Sequence, residues 1–150
     1  MVTIDTFKFG TVGVDDSKKI VFDAGLPGFP ELKEFALIHD EDKGIPSLMY
    51  LQSLEDKDVA ITVASPLALT DTYAPAVEDK DVECIGELKE DNVIVLVTVT
   101  IPEKIEDMTA NLKAPIFINT DNNKGVQVIA ANEELKSRQP IYEYLKAKKA

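Results

Sequence analysis

The sequence predicts a mainly β protein, a small antiparallel β-barrel or barrel-like sandwich with short peripheral helices. Three observations predict it: short strand-like segments recur along the whole chain, turn signals separate them, and no βαβ rhythm interrupts them. At 150 residues, one domain spanning 1–150 is expected, with a helical tail from about residue 139. A chain of that length can bury a core without metal or disulfide staples.

Taken in order, Val2 to Phe9 alternates weakly and stops at Gly10. Thr11–Val14 and Lys19–Phe22 flank a polar turn, Asp15-Asp16-Ser17. Pro30 to Glu34 offers one helical turn, with proline at the first helical position where its missing N–H costs little. Phe35–His39 precedes Asp40-Glu41-Asp42-Lys43-Gly44 and then Leu48–Gln52. Val59, Ile61 and Val63 alternate until Pro66 closes the run. Glu78 to Leu88 spaces Val82, Ile85 and Leu88 by three, which predicts a helix capped by Asp79 or Asp81. Gly86 weakens that helix by about 1 kcal/mol relative to alanine.

Val93 to Ile101 is apolar on both faces, so this strand belongs at the centre of the fold. Pro115–Asn119 and Val126–Ala130 flank Thr120 to Gly125, a hairpin of the longer-loop kind. Pro140 opens the last helix, where Ile141, Tyr144 and Leu145 share a face.

Charge narrows the function. The net charge is −11, from 27 acids against 16 bases. Such a surface repels phosphate and disfavours direct nucleic-acid binding; it favours basic partners. The distribution is uneven: Asp71 to Asp91 holds eight acids and two lysines, while Lys136 to Ala150 holds five bases and one glutamate. The first is more often a solvated helix face than a docking site, and both readings stay open; the second serves as a complement to its own helix dipole. The N-terminus lacks a secretory pattern, and the longest apolar-rich run has nine residues, too short to cross a bilayer. With the single cysteine, Cys84, these features imply a soluble cytoplasmic protein without a membrane partner.

Catalytic equipment is sparse. His39, the one histidine, ends a strand beside Asp40, with no GxSxG elbow to complete a triad. Cys84, in a helix with apolar neighbours, reads as a small core or boundary residue. One histidine and one cysteine cannot build a zinc site, and the acidic turns at 40–44 and 121–125 carry glycine and lysine where calcium loops do not. Phosphate-cradling motifs are absent as well. No catalytic, metal or cofactor residues are therefore assigned.

The polar stretch MTANLKAPIFIN at 108–119 looks more like chemistry. Yet Pro115 suits the first residue of a strand, and Thr109, Asn111 and Lys113 then lie in an irregular segment that their own side chains stabilise. It reads as a shaped loop. In GLPGF, Gly25 to Phe29, glycine and proline likewise specify a rigid turn.

GLPGF, the YLQS at Tyr50–Ser53 and above all TANLKAPIFIN at Thr109–Asn119 resemble the FliW family of flagellar assembly factors, in order from about Ile4 to Ile129. Gln127-Val128-Ile129 falls where that family carries a similar strand. The tail from Gln139 to Ala150 matches no family motif. The resemblance implies a small non-enzymatic β-barrel that binds the RNA-binding translational regulator CsrA and also flagellin. Flagellin in the cytoplasm occupies the factor and frees CsrA to repress flagellin translation; export of flagellin reverses this. The family acts away from the RNA-contacting surface, without mimicking RNA.

Candidate partner-contacting residues follow from this sequence and are not carried over from the family: Leu26, Phe29, Asp79, Asp81, Glu83 and Asn111. The acids would supply a repulsive field against phosphates. Leu26 and Phe29 either present a preorganised patch or plug one end of the barrel. Two rival classes remain, a flagellin export chaperone without a regulatory role and a small-barrel hydrolase or isomerase using His39 or gathered acids.

Overall fold

Backbone pairing organises this chain around one ring of strands. The computed structural model describes residues 2–6, 10–14, 19–23, 25–26, 29, 31–39, 48–56, 58–66, 73, 75–89 and 91–142. Six strands come first: β1 (Val2–Thr6), β2 (Gly10–Val14), β3 (Lys19–Val21), β4 (Glu34–His39), β5 (Leu48–Ser53) and β6 (Ala60–Ala64). The helix α1 (Asp79–Val82) runs into a 3-10 turn at Glu83–Ile85. Then come β7 (Val93–Thr100), a 3-10 turn at Ile105–Asp107, β8 (Thr109–Ala110), β9 (Ile116–Asn119), β10 (Lys124–Gln127) and β11 (Gln139–Pro140). Among the described residues no helix is long and apolar enough to cross a membrane.

The order β7-β6-β5-β4-β3-β10-β9 returns to β7, closing a seven-strand barrel. The closing ladder between β3 and β10 is parallel, through Lys124 opposite Val21; the ring's other ladders are antiparallel. β8 and then β11 extend the sheet outward from the far stretch of β7. β1 and β2 form a separate two-stranded sheet, so residues 11–14 pair backward onto the N-terminal strand.

Alternation along the strands sorts side chains to two sides. Inside the ring, Phe35, Leu51, Val63, Leu96, Ile116 and Ile118 pack with Ile20 and Phe22. Outside it, two smaller clusters form. Val97 and Val99 pack with Met108, Leu112 and Ile141; Val93 and Val95 pack with Phe117, Ile85 and Val128. The apolar character of both faces of β7 is thereby explained, since each face has its own core. Ile101 falls beyond the strand and is 42 % exposed.

The helices are shorter than expected. In place of a helix over Glu78–Leu88, one α turn and one 3-10 turn end at Gly86, whose φ is +90°. A helix of so few residues cannot repay its nucleation cost and holds only by packing. Ile85 takes the inward position, and Cys84 beside it faces solvent. The expectation of a core or boundary cysteine is corrected accordingly. Of the helical turn expected at Pro30–Glu34, a single turn bond is found, Leu32 N–H to Phe29 O at 3.1 Å, and the strand has taken over by Glu34, which pairs with Val21. Strand pairing with β3 and β5 outweighs local helix signals there.

Pro140, expected to open a helix, lies in β11 opposite Thr109. An edge strand tolerates proline because one side of its backbone needs no donor. Residues 143–150 lie outside the described set, as do the turns at 15–17 and 40–44. The β9–β10 hairpin occurs, but its loop is Thr120–Asn123 and Gly125 sits within the strand.

That position admits no side chain. A Cβ at Gly125 would stand 2.5 Å from Phe22 Cε1 and 2.7 Å from its Cζ. Phe22 is fully buried and meets Phe35 edge-on, with ring centroids 5.5 Å apart. Gly125→Ala should therefore cost about 1–3 kcal/mol through overpacking, read as a lower thermal and denaturant midpoint. Unchanged melting would mean that the ring moves freely.

At the start of β4, Glu55 Oε1 accepts the N–H groups of Lys33 at 2.7 Å and Glu34 at 2.9 Å. These donors favour the carboxylate and hold its pKa below the ordinary 4.5. The folded value lies below the unfolded one, so the contribution is present above about pH 4.5 and lost as pH falls through the depressed folded value. Glu55→Gln should lower stability at neutral pH, and the difference from the native chain should shrink on acidification. A pH-independent difference in urea midpoints would contradict this.

Candidate partner-binding surface

The polar residues of the 108–119 stretch are consumed by the fold. Asn111 Oδ1 accepts the N–H groups of Lys113 and Ala114, both at 3.1 Å, which bends the chain out of the β7 ladder. The Lys113 ammonium donates to the Asn132 carbonyl. Gln127 Nε2 donates to Ala114 O at 3.0 Å, and Ala130 and Val128 donate their N–H groups to Lys113 O and Pro115 O. Thr109 lies in β8, opposite Thr100 and Pro140, and so does not belong to the irregular segment as expected. Tyr73 braces the bend from outside by donating its hydroxyl to Leu112 O at 2.6 Å. Burial pushes that hydroxyl up to about 12, so it stays protonated and donating at ordinary pH. The shaped-loop reading is the arrangement found.

In the GLPGF turn, Gly25 has φ +68°, a conformation that side chains resist. It lets Leu26 and Phe29 face each other through two backbone hydrogen bonds of 3.3 and 2.8 Å. Leu26 is 3 % exposed, and both side chains pack on the barrel interior. Burial puts Leu26 in the plug, while half-buried Phe29 leaves both roles open. Pro27 and Gly28 lie outside the described residues.

The acidic segment is held to the barrel by amides. At one end, the Ala76 N–H donates to Asn132 Oδ1 at 2.5 Å, and Ala131 N–H donates to Ala76 O. At the other, Asn119 and Asn122 both donate to the Ile85 carbonyl, at 2.7 and 3.0 Å. Asn92 Nδ2 donates to Glu87 O at 2.9 Å and to Asp121 Oδ2 at 3.0 Å, while its Oδ1 accepts the Lys89 N–H. Beneath, Val82, Ile85 and Leu88 pack on Phe117, Val126 and Val128.

The acids themselves are left largely to water. Asp81 is half-buried and accepts the Glu78 N–H through Oδ2 at 3.1 Å, so it does serve as part of the helix cap. Glu83 is exposed, and the Asp79 side chain lies outside the described set. Lys80 meets Glu78 at 3.1 Å with both side chains at least 70 % exposed, a pair of little energetic weight. The local negative field therefore persists. Sequence reasoning found the acids but missed Asn92, Asn119 and Asn122; their only signal was a density of amides around a turn.

Beside this segment runs an apolar groove of about 640 Å³, lined by Met49, Pro66, Tyr73, Val77, Val95 and Phe117 among others. Tyr73 connects it to the Asn111 bend, and Val77 leads directly into the acids. Leu26 and Phe29 belong to the interior cluster and are not brought to this surface. His39 pairs through its backbone with Met49, and its side chain lies outside the described set. Among the described residues no three His, Cys, Asp or Glu side chains gather as metal ligands.

Asn119 is 3 % exposed and its Oδ1 also accepts the Asp121 N–H at 2.9 Å. Asn119→Ala should cost about 1–3 kcal/mol by stripping buried partners. It should also speed amide exchange across residues 86–89 more than in the barrel strands. Uniform acceleration would show that the amide does not pin this segment in particular.

Comparison with known proteins places this architecture. The sequence profile described as FliW protein matches residues 3–141. The flagellar assembly factor FliW of Lachnospira eligens is 39 % identical over 145 residues, covering 95 % of this chain and 96 % of the relative. That of Caldanaerobacter subterraneus subsp. tengcongensis is 38 % identical over 143 residues, covering 95 % of each. A crystal structure of a flagellar assembly factor FliW superposes with a TM-score of 0.85 at 29 % identity, covering 94 % of this chain and 97 % of that one. A seven-strand barrel carrying the GLPGF turn and the TANLKAPIFIN bend, matched along nearly its whole length, belongs to the FliW family of flagellar assembly factors.

Proposed function

We propose that this chain is a non-enzymatic, cytoplasmic assembly factor that binds CsrA and flagellin competitively, and so relieves CsrA repression of flagellin translation. Family membership carries the reading. The charge distribution supports it physically. A regulator that grips RNA is basic, and a surface with a net of −11 attracts it.

Docking beside the RNA-contacting surface would then raise the cost of bringing in phosphates without imitating RNA. At 10 Å in water, a pair of unit charges interacts by about 0.4 kcal/mol before screening. Screening over a Debye length of about 8–10 Å removes roughly two-thirds of that. The acids between Asp71 and Asp91 exceed the lysines there by six, so the penalty reaches at most about 1 kcal/mol per phosphate. Several phosphates together make it decisive, but only for a surface docked within one Debye length.

Size-exclusion chromatography of the chain with CsrA and with flagellin, separately and together, tests the reading. Co-elution with each, and displacement of one by the other, is expected. Flagellin binding alone would replace the proposal with an export chaperone, and binding of neither would overturn it and reopen a catalytic role. In a second arm, Asp79→Asn, Asp81→Asn and Glu83→Gln together should weaken the chain's competition with RNA for CsrA about three- to tenfold at low salt. Unchanged competition at low salt would remove the electrostatic mechanism.

A further inference from the structure

Among the described residues, the barrel is incompletely zipped between β6 and β7. Their ladder consists of two pairs, Val63 with Thr98 and Ala64 with Val97. The first half of β7, Val93 to Leu96, is paired on its other side with β9. Two hydrogen bonds orient its backbone: Thr120 N–H donates to Asn92 O at 2.8 Å, and Asn111 N–H donates to Thr98 O at 2.9 Å. Both partners lie on the β8–β9 side. Because peptide groups alternate along a strand, Ile94 and Leu96 also aim that way, while Val93 and Val95 aim their N–H and C=O groups toward β6. Continuing the register would place Pro66 opposite Val95, and proline has no N–H to give. Among the described residues, Val93 and Val95 have no ladder partner on that side.

The groove lies along this edge. It takes Ile94 and Leu96 from the inward face of β7 and Val93 and Val95 from the outward face. Residues of both faces line one groove only where the edge of the strand is itself part of the wall. Ile94 is 38 % exposed although its face is the barrel interior, as expected of a mouth left open. Asp91, two residues before Val93, is exposed, and so are Glu83 and Glu87 of the segment whose apolar residues pack on Val93 and Val95; none of the three forms an ion pair with another described residue.

We propose that the β7 edge from Val93 to Leu96 receives an extended segment of a protein partner as an added strand, with apolar side chains in the groove and lysines or arginines flanking them. Main-chain bonds to Val93 and Val95 supply affinity, alternate side chains fill the groove, and the neighbouring acids select basic flanks. At about 3.3 Å per residue, the edge accommodates roughly four residues. The inference rests on the reading that this chain works by binding proteins, and it identifies how one partner segment is held.

The test uses the full chain and a synthetic nonapeptide with a Val-Thr-Val-Thr-Val centre and two lysines at each end. At saturation, amide exchange at Val93 and Val95 should slow by about tenfold or more, with Ile94 and Leu96 little changed because β9 already holds them. A peptide ending in glutamates should bind about tenfold more weakly, and one N-methylated at alternate residues should not bind. Ile94→Lys, assayed below its own melting transition, should abolish binding. Val93 and Val95 amides already protected in the free chain, or peptide binding that adds no protection, would overturn the proposal. Protection by the peptide with no binding of CsrA or flagellin would sink the functional reading and leave strand addition standing. Binding of either protein equally by native and Ile94→Lys chains, without protection by the peptide, would do the reverse.

Discussion

The barrel depends on one long-range contact, the meeting of β3 with β10. Every other ladder in the ring joins strands that antiparallel pairing brings together; this one joins Val21 to Lys124 in parallel by a single bridge. Closing a loop of about 100 residues costs roughly 4 kcal/mol by the logarithmic law. One backbone hydrogen bond, Val21 N–H to Asn123 O at 2.9 Å, contributes only about 1 kcal/mol net. The exposed Lys124–Asp23 pair at 3.3 Å adds little. Phe22 supplies the remainder: its burial is worth about 1.5–3 kcal/mol, and its edge-on contact with Phe35 about 1 more. That ring fits because Gly125 has no side chain, so a small residue on one strand and a large one on the other close the barrel together.

With the ring closed, its outer face becomes a rigid platform, and the acidic segment is attached to it in an economical way. Carbonyls at Ala76, Ile85 and Glu87 are bonded by main-chain or asparagine N–H groups. Amide partners hold a backbone without neutralising the side chains it carries. Lysines in the same places would have pinned the segment and cancelled its field. The choice of asparagine thus separates anchoring from charge, and the short helix needs no intrinsic stability because both its ends are tied down.

Local rules made much of the fold legible and left the long-range parts hidden. Alternation at Val59–Val63 and the stop at Pro66 gave β6, and the two apolar faces of Val93–Ile101 correctly placed β7 at the junction of several cores. The polar run Thr120–Lys124 announced the hairpin. None of those signals reports on partners distant in sequence. Gly125 looked like a turn residue because its aromatic neighbour lies a hundred positions away. Gly86 was counted as a weak helix residue when its backbone angle ends the helix, and Cys84 was read as a core or boundary residue from its apolar neighbours, which do not report its exposure. At the candidate surface, Asp81 and Asn111 were recognisable as residues that bond backbone, but whether such a bond shapes a loop or leaves a contact free depends on geometry. Leu26 is the clearest case: an apolar residue in a rigid turn serves a patch or a plug equally well until its burial is known.

Opposite sides of the ring are paired to different extents among the described residues. A ring zipped fully around would have no edge at all, and edges are what invite unwanted pairing. Among the described residues the β6–β7 ladder has two pairs, and Pro66, which would stand opposite Val95 if the register ran on, has no donor to continue it. The remaining edge is short, recessed in a groove and bordered by acids, three features that discourage pairing with another copy of the same anionic chain. Like-charged copies repel, while a basic extended segment meets no such barrier. The same acids that set the field outside the barrel therefore determine which strands can reach its open seam.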